Sequence, residues 1–285
     1  MGVVLITGCS SGIGMETALA FARNGDTTVA TMRNVAKSDN LLKRAADDGV
    51  TIHVEQLDVN EPESIDAAVA RVIEKHRTID VLVNNAGVGN TGPIETMSIE
   101  NAMRLMDTNF WGPMRGIRAA LPTMRAQRSG VIVNVSSLAS RIPATMYSGM
   151  YAASKQALNA LSEALASEVE PFGIRVVSIE PGFFGTEIST NNISSDEVPS
   201  EVYAADQEWI RSFFEAGVEG GADASVVADA IVAAAIDPET PLHRPVGDDA
   251  AMYLDLQSQV DGYEGWMAAV TPIVESAVGP RPPAG

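Results

Sequence analysis

A glycine-rich segment near the start of the chain constrains the possible folds more than any other part of the sequence. Residues 3–6 form a short apolar run, and Gly8, Gly12 and Gly14 follow before a helical pattern at positions 18–22. A buried strand, a glycine-rich turn and a helix in this order are typical of a dinucleotide site, because the N–H groups of a helix N-terminus bind pyrophosphate. The alternative is a tight strand-to-helix turn without a ligand.

Composition excludes several classes of function. The chain has 285 residues, of which 46% are hydrophobic, so it can bury a large core. A net charge of −18 argues against binding to nucleic acid and against docking on anionic membranes. No apolar run is long enough to span a bilayer. The first strand starts at Val3, which leaves no room for a signal or transit peptide, and we expect a cytoplasmic protein.

Cysteine and histidine usage argues against metal and thiol chemistry. Cys9 is the single cysteine, so an internal disulfide is impossible and a reducing compartment is favoured. It lies inside the glycine loop with no histidine near it in sequence, which argues against a catalytic thiol. His53, His76 and His243 do not have the spacing of metal ligands, and we predict no metal site.

The alternation of strands and helices predicts the fold class. Strands are predicted at 3–6, 27–32, 51–57, 80–84, 130–136 and 174–179, with a short seventh at 242–246. Helical patterns separate them, which indicates right-handed crossovers and an α/β, doubly wound Rossmann fold. We expect a central parallel sheet of about seven strands, flanked by helices on both faces, in a single domain over residues 1–278.

Four local predictions accompany this fold. Residues 98–126 are predicted as one long helix with an irregularity at Trp111–Pro113, and Asn60 with Glu63 predicts a capping box for the helix that follows. Residues 185–200 are polar and without periodicity, which predicts a mobile loop within a substrate-binding lid at about 185–217. The tail at 279–285 is rich in proline and glycine and is predicted to be disordered.

Tyr151 and Lys155 are the strongest candidates for chemistry. They are four residues apart at the start of a predicted helix, so their side chains share one face. The chain holds only 4 lysines and 5 tyrosines, and the surrounding residues are small and apolar, which favours a buried helix. A nearby ammonium and the charge of an oxidised nicotinamide would lower the pKa of the phenol and suit it to acid–base catalysis. The alternative is an exposed helical pair.

Ser136 and Ser137 end the fifth predicted strand. Ligands of open parallel sheets bind outside the carboxyl ends of the strands, so a hydroxyl here can hold a substrate carbonyl beside the tyrosine. A polar strand end is an equally natural explanation for either serine alone.

Several motifs together resemble the short-chain dehydrogenases/reductases. They are Thr7-Gly8-x-x-x-Gly12-x-Gly14, Asn84-Asn85-Ala86-Gly87, Ser137, Tyr151-x-x-x-Lys155 and Pro181-Gly182-x-x-x-Thr186. The resemblance covers roughly residues 2–190, and the glycine loop with Ala30-Thr31-Met32-Arg33 is similar to the 17β-hydroxysteroid and retinol dehydrogenase branch. Ser137 lies one residue further from Tyr151 than is usual in the family, which leaves the choice between Ser136 and Ser137 open.

The resemblance implies a role for each catalytic candidate. Tyr151 would exchange the proton, and Ser137 would hydrogen-bond the substrate carbonyl. Lys155 would bind the ribose hydroxyls and lower the Tyr151 pKa. Asn109 would lie in a helix irregularity and carry a proton-relay water, with a core asparagine making local bonds as the alternative.

The resemblance also implies a set of residues that contact the cofactor. The glycine loop, the strand ends and the Pro181-Gly182 turn would contribute Gly8, Ser10, Ser11, Gly12, Ile13, Gly14, Arg33, Asp58, Val59, Asn85, Ala86, Gly87, Tyr151, Lys155, Pro181, Gly182 and Thr186. Asp58 and Asn85 would contact the adenosine side, and Thr186 with the Pro181-Gly182 turn would fix the nicotinamide. Asp58 in a simple strand-end turn is the alternative.

The end of the second strand predicts which dinucleotide binds. An acid about 20 residues past the glycine loop hydrogen-bonds the ribose of NAD, and an Arg there favours NADP. This chain has Met32 followed by Arg33 at that place, and Ser11 offers a second hydrogen bond to a phosphate. We therefore predict that NADP(H) is preferred over NAD(H).

Two classes of function fit these motifs. The first is an oxidoreductase that transfers a hydride between NADP(H) and a hydrophobic carbonyl or alcohol, steroid- or retinoid-like in size. The second is a non-catalytic dinucleotide-binding sensor on the same fold. Aromatic and apolar residues mark a candidate substrate pocket, with lid and core packing as the alternative: Met146, Tyr147, Phe183, Phe184, Trp209, Phe213 and Phe214. The family resemblance implies a homodimer or homotetramer through the helices at 98–126 and 150–169.

Overall fold

The central feature of the computed structural model is a seven-stranded parallel sheet. The structure describes residues 2–185, 193 and 201–283. The strands are β1 (Val3–Ile6), β2 (Thr27–Met32), β3 (Ile52–Gln56), β4 (Val81–Asn84), β5 (Gly130–Val135), β6 (Ile174–Pro181) and β7 (His243–Val246). Their order across the sheet is β3-β2-β1-β4-β5-β6-β7. The chain reverses its direction of travel across the sheet between β1 and β4, and ligands of such sheets bind at this point.

Helices cover both faces and one end of the sheet. They are α1 (Gly12–Arg23), α2 (Asp39–Asp47), α3 (Pro62–His76), α4 (Ile99–Met106), α5 (Gly112–Gln127), α6 (Gly149–Val169), α7 (Ala204–Glu219), α8 (Ala224–Ile236), α9 (Asp248–Ser258) and α10 (Gly262–Val278). The predicted doubly wound Rossmann fold is confirmed.

The period of two along each strand explains the two cores. In β1, Val4 and Ile6 point into a core with α1, α2 and α8, whereas Val3 and Leu5 point into a second core with α3, α5 and α6. All four β1 residues are buried, as expected for the central strand of a parallel sheet that is covered on both sides.

The predicted continuous helix over 98–126 is interrupted. A π-helical segment, Asp107–Trp111, separates α4 from α5, and the Gly112 N–H bonds the Asp107 carbonyl five residues back. Pro113 follows at the start of α5 and has no N–H. In an α-helix the carbonyl of Asn109 would accept a hydrogen bond from the N–H of residue 113, and proline cannot supply it. This irregularity begins before the Trp111–Pro113 site and contains Asn109.

The predicted capping box at Asn60 and Glu63 is wrong. Helix α3 begins at Pro62 with Glu61 as N-cap, because proline suits the first helical position, where its missing N–H costs nothing. The Asn60 side chain instead accepts a hydrogen bond from Thr108 Oγ1 at 3.1 Å. It ties the start of α3 to the π-helical segment.

The C-terminal helices form a separate layer beyond β6 and β7. Apolar side chains of α9 and α10 pack with Leu138 and Ile142, and α7 packs on α10 through Trp209, Ile210 and Val274. The Trp209 Nε1–H donates to the Gly279 carbonyl at 2.8 Å, and Arg281 pairs with Asp206. The described part of the tail that was predicted to be disordered is therefore held against α7.

Candidate active site

The glycine loop presents the N-terminus of α1 to a large cavity. Gly8 has a φ of 76°, a conformation that a side chain would strain, and a Cβ on Gly14 would lie 2.3 Å from the Gly8 carbonyl oxygen. Ser11 is the N-cap of α1, yet its side chain makes no capping bond. The first N–H groups of α1 and this hydroxyl are therefore placed to hold an anion.

Asn85 holds the loop rather than only lining it. Its Nδ2 donates to the Thr7 and Gly8 carbonyls at 2.9 and 3.1 Å. Thr7 Oγ1 accepts hydrogen bonds from the backbone N–H groups of Asn85 and Ala86 at 3.0 and 3.1 Å. This reciprocal tie joins the ends of β1 and β4, so Asn85 acts through the shape of the glycine loop.

Tyr151 and Lys155 lie on the first turns of α6 and both line the cavity. The Lys155 Nζ is 5.8 Å from the centre of the Tyr151 ring and donates to the Val135 carbonyl at 2.9 Å. Lys155 is 3% exposed, and its burial lowers its pKa from 10.5 to about 8. A Cβ on Gly87 would lie 3.6 Å from this Nζ, so the Asn-Asn-Ala-Gly turn lies directly beside the ammonium.

The two serines at the end of β5 have different partners. Ser136 is buried, and its hydroxyl donates to the Lys155 carbonyl at 3.3 Å. Ser137 lies on the cavity wall, and its side chain forms a hydrogen bond with Tyr151. The structure therefore brings Ser137, and not Ser136, to the tyrosine hydroxyl, and the longer spacing is absorbed in the segment between them.

Burial changes the pKa of the Tyr151 phenol, which was considered as an acid, and of the Cys9 thiol, which was considered as a nucleophile. It raises the pKa of Tyr151, and the hydrogen bond with Ser137 opposes that shift. This direction is opposite to the lowered pKa expected from sequence, which assumed the charge of an oxidised nicotinamide. Burial also raises the pKa of Cys9 to about 12, so its thiol stays protonated at neutral pH.

Asn109 is fully buried in the π-helical segment. Its Oδ1 accepts from the Val88 N–H at 2.9 Å, and its Nδ2 donates to the Val88 carbonyl and to Ser154 Oγ, both at 3.0 Å. Both polar atoms of the Asn109 side chain are therefore occupied, and they hold the segment after β4 against α6. Any water relay at this residue would have to use its backbone carbonyl.

Arg33 and Lys37 are two cations of the cavity wall that follow β2 in the chain. Both are exposed, and neither forms an ion pair with any residue in the described part of the chain. Lys37 was missed in the sequence analysis, and it lies in the short helical turn Val35–Lys37. Asp58 and Val59 line the opposite side, and Asp58 Oδ1 accepts from the Asn60 N–H at 3.0 Å, as in a strand-end turn.

The Pro181-Gly182 turn is shaped by a residue that sequence analysis missed. Asp249, at the start of α9, accepts a hydrogen bond from the Phe183 N–H at 2.6 Å. A Cβ on Gly182 would lie 2.2 Å from its Oδ2, so only glycine fits beside this carboxylate. Thr186 and most of the predicted loop at 185–200 lie outside the described residues.

The cavity has a volume of about 1040 Å³ and runs from the glycine loop past Tyr151 to α10. Of the predicted pocket residues, the structure brings to its wall Met146, Phe183, Phe184, Trp209, Phe213 and Phe214. Phe183, Phe213 and Phe214 contact one another in edge-to-face or tilted arrangements, at centroid distances of 5.7 to 6.1 Å.

Tyr147 lies outside the cavity wall. It has a φ of 63°, and its hydroxyl donates to Asp206 Oδ2 at 3.2 Å. The side chain contacts α7 and is not part of the cavity wall, so the structure does not support the expected substrate contact.

The wall formed by α9 and α10 was not predicted. It contributes Tyr253, Trp266, Met267, Val270, Thr271 and Val274. The apolar periodicity of these helices was visible in the sequence, but nothing in it indicated that they return to the catalytic end of the sheet.

A buried polar cluster lies behind Ser137. Glu180, at the end of β6, is fully buried and accepts from Arg141 Nη1 at 3.0 Å and from Asn159 Nδ2 at 2.8 Å. Asn159 also donates to Ser140 Oγ at 2.7 Å, and Ser140 donates to the Ser137 carbonyl at 2.5 Å. His243 Nδ1 lies 2.6 Å from Glu180 Oε1. The segment carrying Ser137 is thereby tied to both β6 and α6.

The fold and this site define a dinucleotide-binding α/β protein with a serine, a tyrosine and a lysine at the carboxyl end of its sheet. The sequence of residues 2–197 matches the family model of the short chain dehydrogenases. The chain belongs to this family of nicotinamide-dinucleotide-dependent oxidoreductases, in a branch that is similar to the retinol and hydroxysteroid dehydrogenases.

Individual relatives extend the comparison. Retinol dehydrogenase 8 from Bos taurus is 41% identical over 203 residues, which is 69% of this chain and 64% of the bovine protein, so the match spans less than two thirds of that relative. A short-chain dehydrogenase from Streptomyces avermitilis is 33% identical, with a TM-score of 0.80 and coverage of 96% of this chain and 97% of that one. A metagenomic short-chain oxidoreductase in complex with NADP is 28% identical, with a TM-score of 0.67 and coverage of 86% and 95%.

Two features are absent from the described residues. No helix in residues 2–185 and 201–283 is both long and apolar enough to cross a membrane. Within the same ranges, no group of three or more histidine, cysteine, aspartate or glutamate side chains is placed to hold a metal ion.

Proposed function

We propose that the protein is an NADP(H)-dependent oxidoreductase that interconverts a hydrophobic ketone or aldehyde and the corresponding alcohol. The observation that carries this proposal is the hydrogen bond between Ser137 and Tyr151 at the wall of a largely apolar cavity, beside the buried Lys155. When bound, the nicotinamide supplies or accepts the hydride. The chain's own residues bind the two reactants and handle the proton.

In the reductive direction, the Tyr151 hydroxyl donates its proton to the carbonyl oxygen as that oxygen gains charge. The Ser137 hydroxyl donates a hydrogen bond to the same oxygen and stabilises the developing charge. Lys155 holds the ribose hydroxyls, and its ammonium lowers the cost of forming the phenolate. In the oxidative direction, the phenolate accepts the proton of the alcohol.

Binding of NADP(H) uses the N-terminus of α1, the Ser11 hydroxyl and the two cations after β2. Arg33 and Lys37 lack carboxylate partners among the described residues and flank the same end of the cavity. A 2′-phosphate placed between them would form charge-assisted hydrogen bonds, which are among the stronger ones in proteins. The residue at the position expected to be acidic for NAD is Met32, and it is 2% exposed.

The wall formed by Phe183, Trp209, Phe213 and the side chains of α10 supports a large apolar substrate. The name of the bovine relative gives retinol, an apolar alcohol, as its substrate. A steroid- or retinoid-like carbonyl compound fits a cavity of about 1040 Å³ that also holds a dinucleotide. Assembly through α4, α5 and α6 into a dimer or tetramer, and a cytoplasmic location, remain part of the proposal.

The test is an absorbance assay of NADPH oxidation over a panel of apolar ketones and aldehydes, with Tyr151→Phe and Tyr147→Phe as a matched pair. Removal of the Tyr151 hydroxyl should lower kcat at least ~100-fold, since acid–base catalysis contributes about 10²–10⁴-fold. The Kd of the cofactor should change less than about twofold, because the lost group is the acid. Removal of the Tyr147 hydroxyl should leave kcat within about threefold.

A Tyr151→Phe enzyme that retains more than about a tenth of the wild-type kcat would overturn the assignment of the acid. Dinucleotide binding without turnover of any panel member would favour the sensor function instead. Lys155→Ala should weaken cofactor binding as well as turnover, and an unchanged Kd would overturn its ribose role.

A further inference from the structure

Three aromatic side chains at or near the cavity have partners for their polar atoms. Trp209 Nε1 donates to the Gly279 carbonyl at 2.8 Å, and the Tyr147 hydroxyl donates to Asp206 at 3.2 Å. Tyr151 is hydrogen-bonded with Ser137. Such pairing is the rule, because a buried phenol or indole N–H without a partner loses its hydrogen bond to water.

Tyr253 on α9 and Trp266 on α10 depart from this rule. Tyr253 is 6% exposed and Trp266 is 1% exposed, and their rings lie 6.2 Å apart. Neither the Tyr253 hydroxyl nor the Trp266 indole N–H has a hydrogen-bond partner among residues 2–185, 193 and 201–283. The Tyr253 hydroxyl and the Trp266 indole N–H are therefore two polar groups without partners, on two buried aromatic rings that lie next to each other.

These groups are not sealed inside the protein. In the described part of the chain, the one completely enclosed side-chain polar atom without a partner is Thr17 Oγ1, which lies elsewhere on α1. Tyr253 and Trp266 both line the cavity that Ser137 and Tyr151 line. The open space beside the phenol and the indole is thus the cavity itself.

The surrounding wall is apolar. Tyr253 and Trp266 pack with Leu138, Ile142 and Ala250, and Leu138 directly follows Ser137 in the chain. The hydroxyl and the indole N–H are therefore polar points on a hydrophobic wall that begins next to the catalytic serine. In small-molecule sites, a few polar groups on an apolar wall fix the orientation of the ligand.

We infer that Tyr253 and Trp266 form a hydrogen-bonding subsite for a second oxygen of the substrate, one that does not react and is uncharged. The inference rests on the proposed function, because it deepens the description of that substrate. The indole N–H can only donate, so the bound atom must accept a hydrogen bond, whereas the phenol can donate or accept. A hydroxyl, ether or carbonyl oxygen meets both requirements.

The charges near the subsite exclude an anionic oxygen. Burial raises the pKa of Tyr253, and the carboxylate of Asp249 raises it further. The negative charge of Asp249 therefore acts at the phenol and would repel a carboxylate ligand. Arg281 lines the cavity but is paired with Asp206. The substrate class is therefore an apolar carbonyl compound with a second, neutral oxygen function, such as a hydroxyketone.

The experiment compares rigid polycyclic ketones in pairs, each pair differing by one hydroxyl at a different position remote from the ketone. In the wild-type enzyme, kcat/KM should favour the hydroxylated member of at least one pair about tenfold or more, as expected for a hydrogen-bonded site. Tyr253→Phe should abolish this preference while leaving kcat/KM for the deoxy member within about twofold. Tyr263→Phe, the same change on the exposed side of α10, should keep the preference.

The outcomes separate this inference from the proposed function. If no ketone of either type is turned over, the proposed function fails. If the deoxy ketones are turned over and no pair is discriminated, or the preference survives in Tyr253→Phe, the subsite is overturned. Tyr253→Phe should also keep the thermal midpoint of the wild type, and a large drop would show that the hydroxyl has a structural partner, which would count against the inference.

Discussion

Asn109 and Val88 exchange two hydrogen bonds, with Val88 N–H donating to Asn109 Oδ1 at 2.9 Å and Asn109 Nδ2 donating to the Val88 carbonyl at 3.0 Å. The Asn109 side-chain amide pairs with the backbone N–H and carbonyl of Val88, as the backbone of a neighbouring strand would. The segment after β4 has no such strand at that point, and the π-helical segment presents the amide in its place. The contact fixes the Asn-Asn-Ala-Gly turn against α6.

This pairing predicts a structural cost for losing the amide. Asn109→Ala leaves the Val88 N–H and carbonyl unpaired in a buried site, which should lower the free energy of unfolding by about 2–4 kcal/mol. Ser154→Ala removes a single hydrogen bond to the same amide, and we expect about 1 kcal/mol. Urea denaturation of the three proteins measures both values. Equal stability of Asn109→Ala and wild type would show that the amide is not needed to hold the turn.

The depressed pKa of Lys155 predicts a pH dependence of stability. Its pKa is 10.5 in the unfolded chain and about 8 in the folded protein. At a pH between these two values, the unfolded state binds more protons than the folded state, so the free energy of unfolding rises with pH. The destabilisation caused by the buried Lys155 ammonium is therefore fully present below pH 8 and decreases above it. From pH 7 to 9.5, the stability of the cofactor-free wild type should rise relative to Lys155→Met by about 2 kcal/mol.

Urea denaturation of both proteins at the two pH values checks this difference, and other titrating groups cancel in the comparison. The interval stops below the raised pKa of Tyr151, whose titration acts in the opposite direction. Parallel pH profiles for the two proteins would mean that the Lys155 ammonium is not destabilised by burial.

The cations after β2 predict the cofactor preference. The wild-type kcat/KM with NADPH should exceed that with NADH at least tenfold, since a charge-assisted hydrogen bond contributes about 1.5–3 kcal/mol. Arg33→Ala should remove most of this preference, and Lys37→Ala should remove part of it, because a flexible ammonium binds phosphate less specifically than a guanidinium does. Arg23→Ala, in which the lost cation pairs with Asp48 on the surface, serves as the control. A wild type that favours NADH would contradict this assignment.

The buried carboxylate of Glu180 predicts a coupled loss of stability and turnover. Glu180→Leu leaves Arg141 and Asn159 without their partner, which should lower the free energy of unfolding by about 3–5 kcal/mol. Because Asn159 also holds Ser140, and Ser140 holds the Ser137 carbonyl, kcat should fall while the Kd of the cofactor stays within about twofold.

Glu163→Gln is the matched control, since Glu163 contacts the same His243 at 3.1 Å but is 57% exposed. Its effect on stability should stay within about 0.5 kcal/mol. If both variants behave alike, the position of Ser137 does not depend on the buried cluster.

Local patterns were sufficient for the part of the chain that binds the dinucleotide. The strand of residues 3–6, the glycine loop and the Tyr151–Lys155 spacing each encode their structure within a few residues, so the sheet and the catalytic side chains could be predicted. The choice between Ser136 and Ser137 could not be made, because it depends on which hydroxyl the α6 backbone engages. That contact joins segments 19 residues apart in sequence.

Residues whose role depends on distant partners escaped the sequence analysis. Asp249 shapes the turn at Gly182 through its bond to Phe183, 66 residues away along the chain, and no local pattern marks it. Tyr147 has the composition of a pocket residue, yet its backbone conformation and its bond to Asp206 turn it towards α7. The rise in the pKa of Tyr151 through burial was not predicted, because the sequence argument considered only the ammonium and the oxidised nicotinamide.

Two stretches of the chain form the cavity, and they contribute different kinds of side chains to its wall. Residues 2–185 contribute the glycine loop, Ser137, Tyr151 and Lys155, whereas residues 201–283 contribute aromatic and apolar side chains of α7, α9 and α10. Mutations in the second stretch can therefore change which molecule is accepted while the hydride chemistry stays the same.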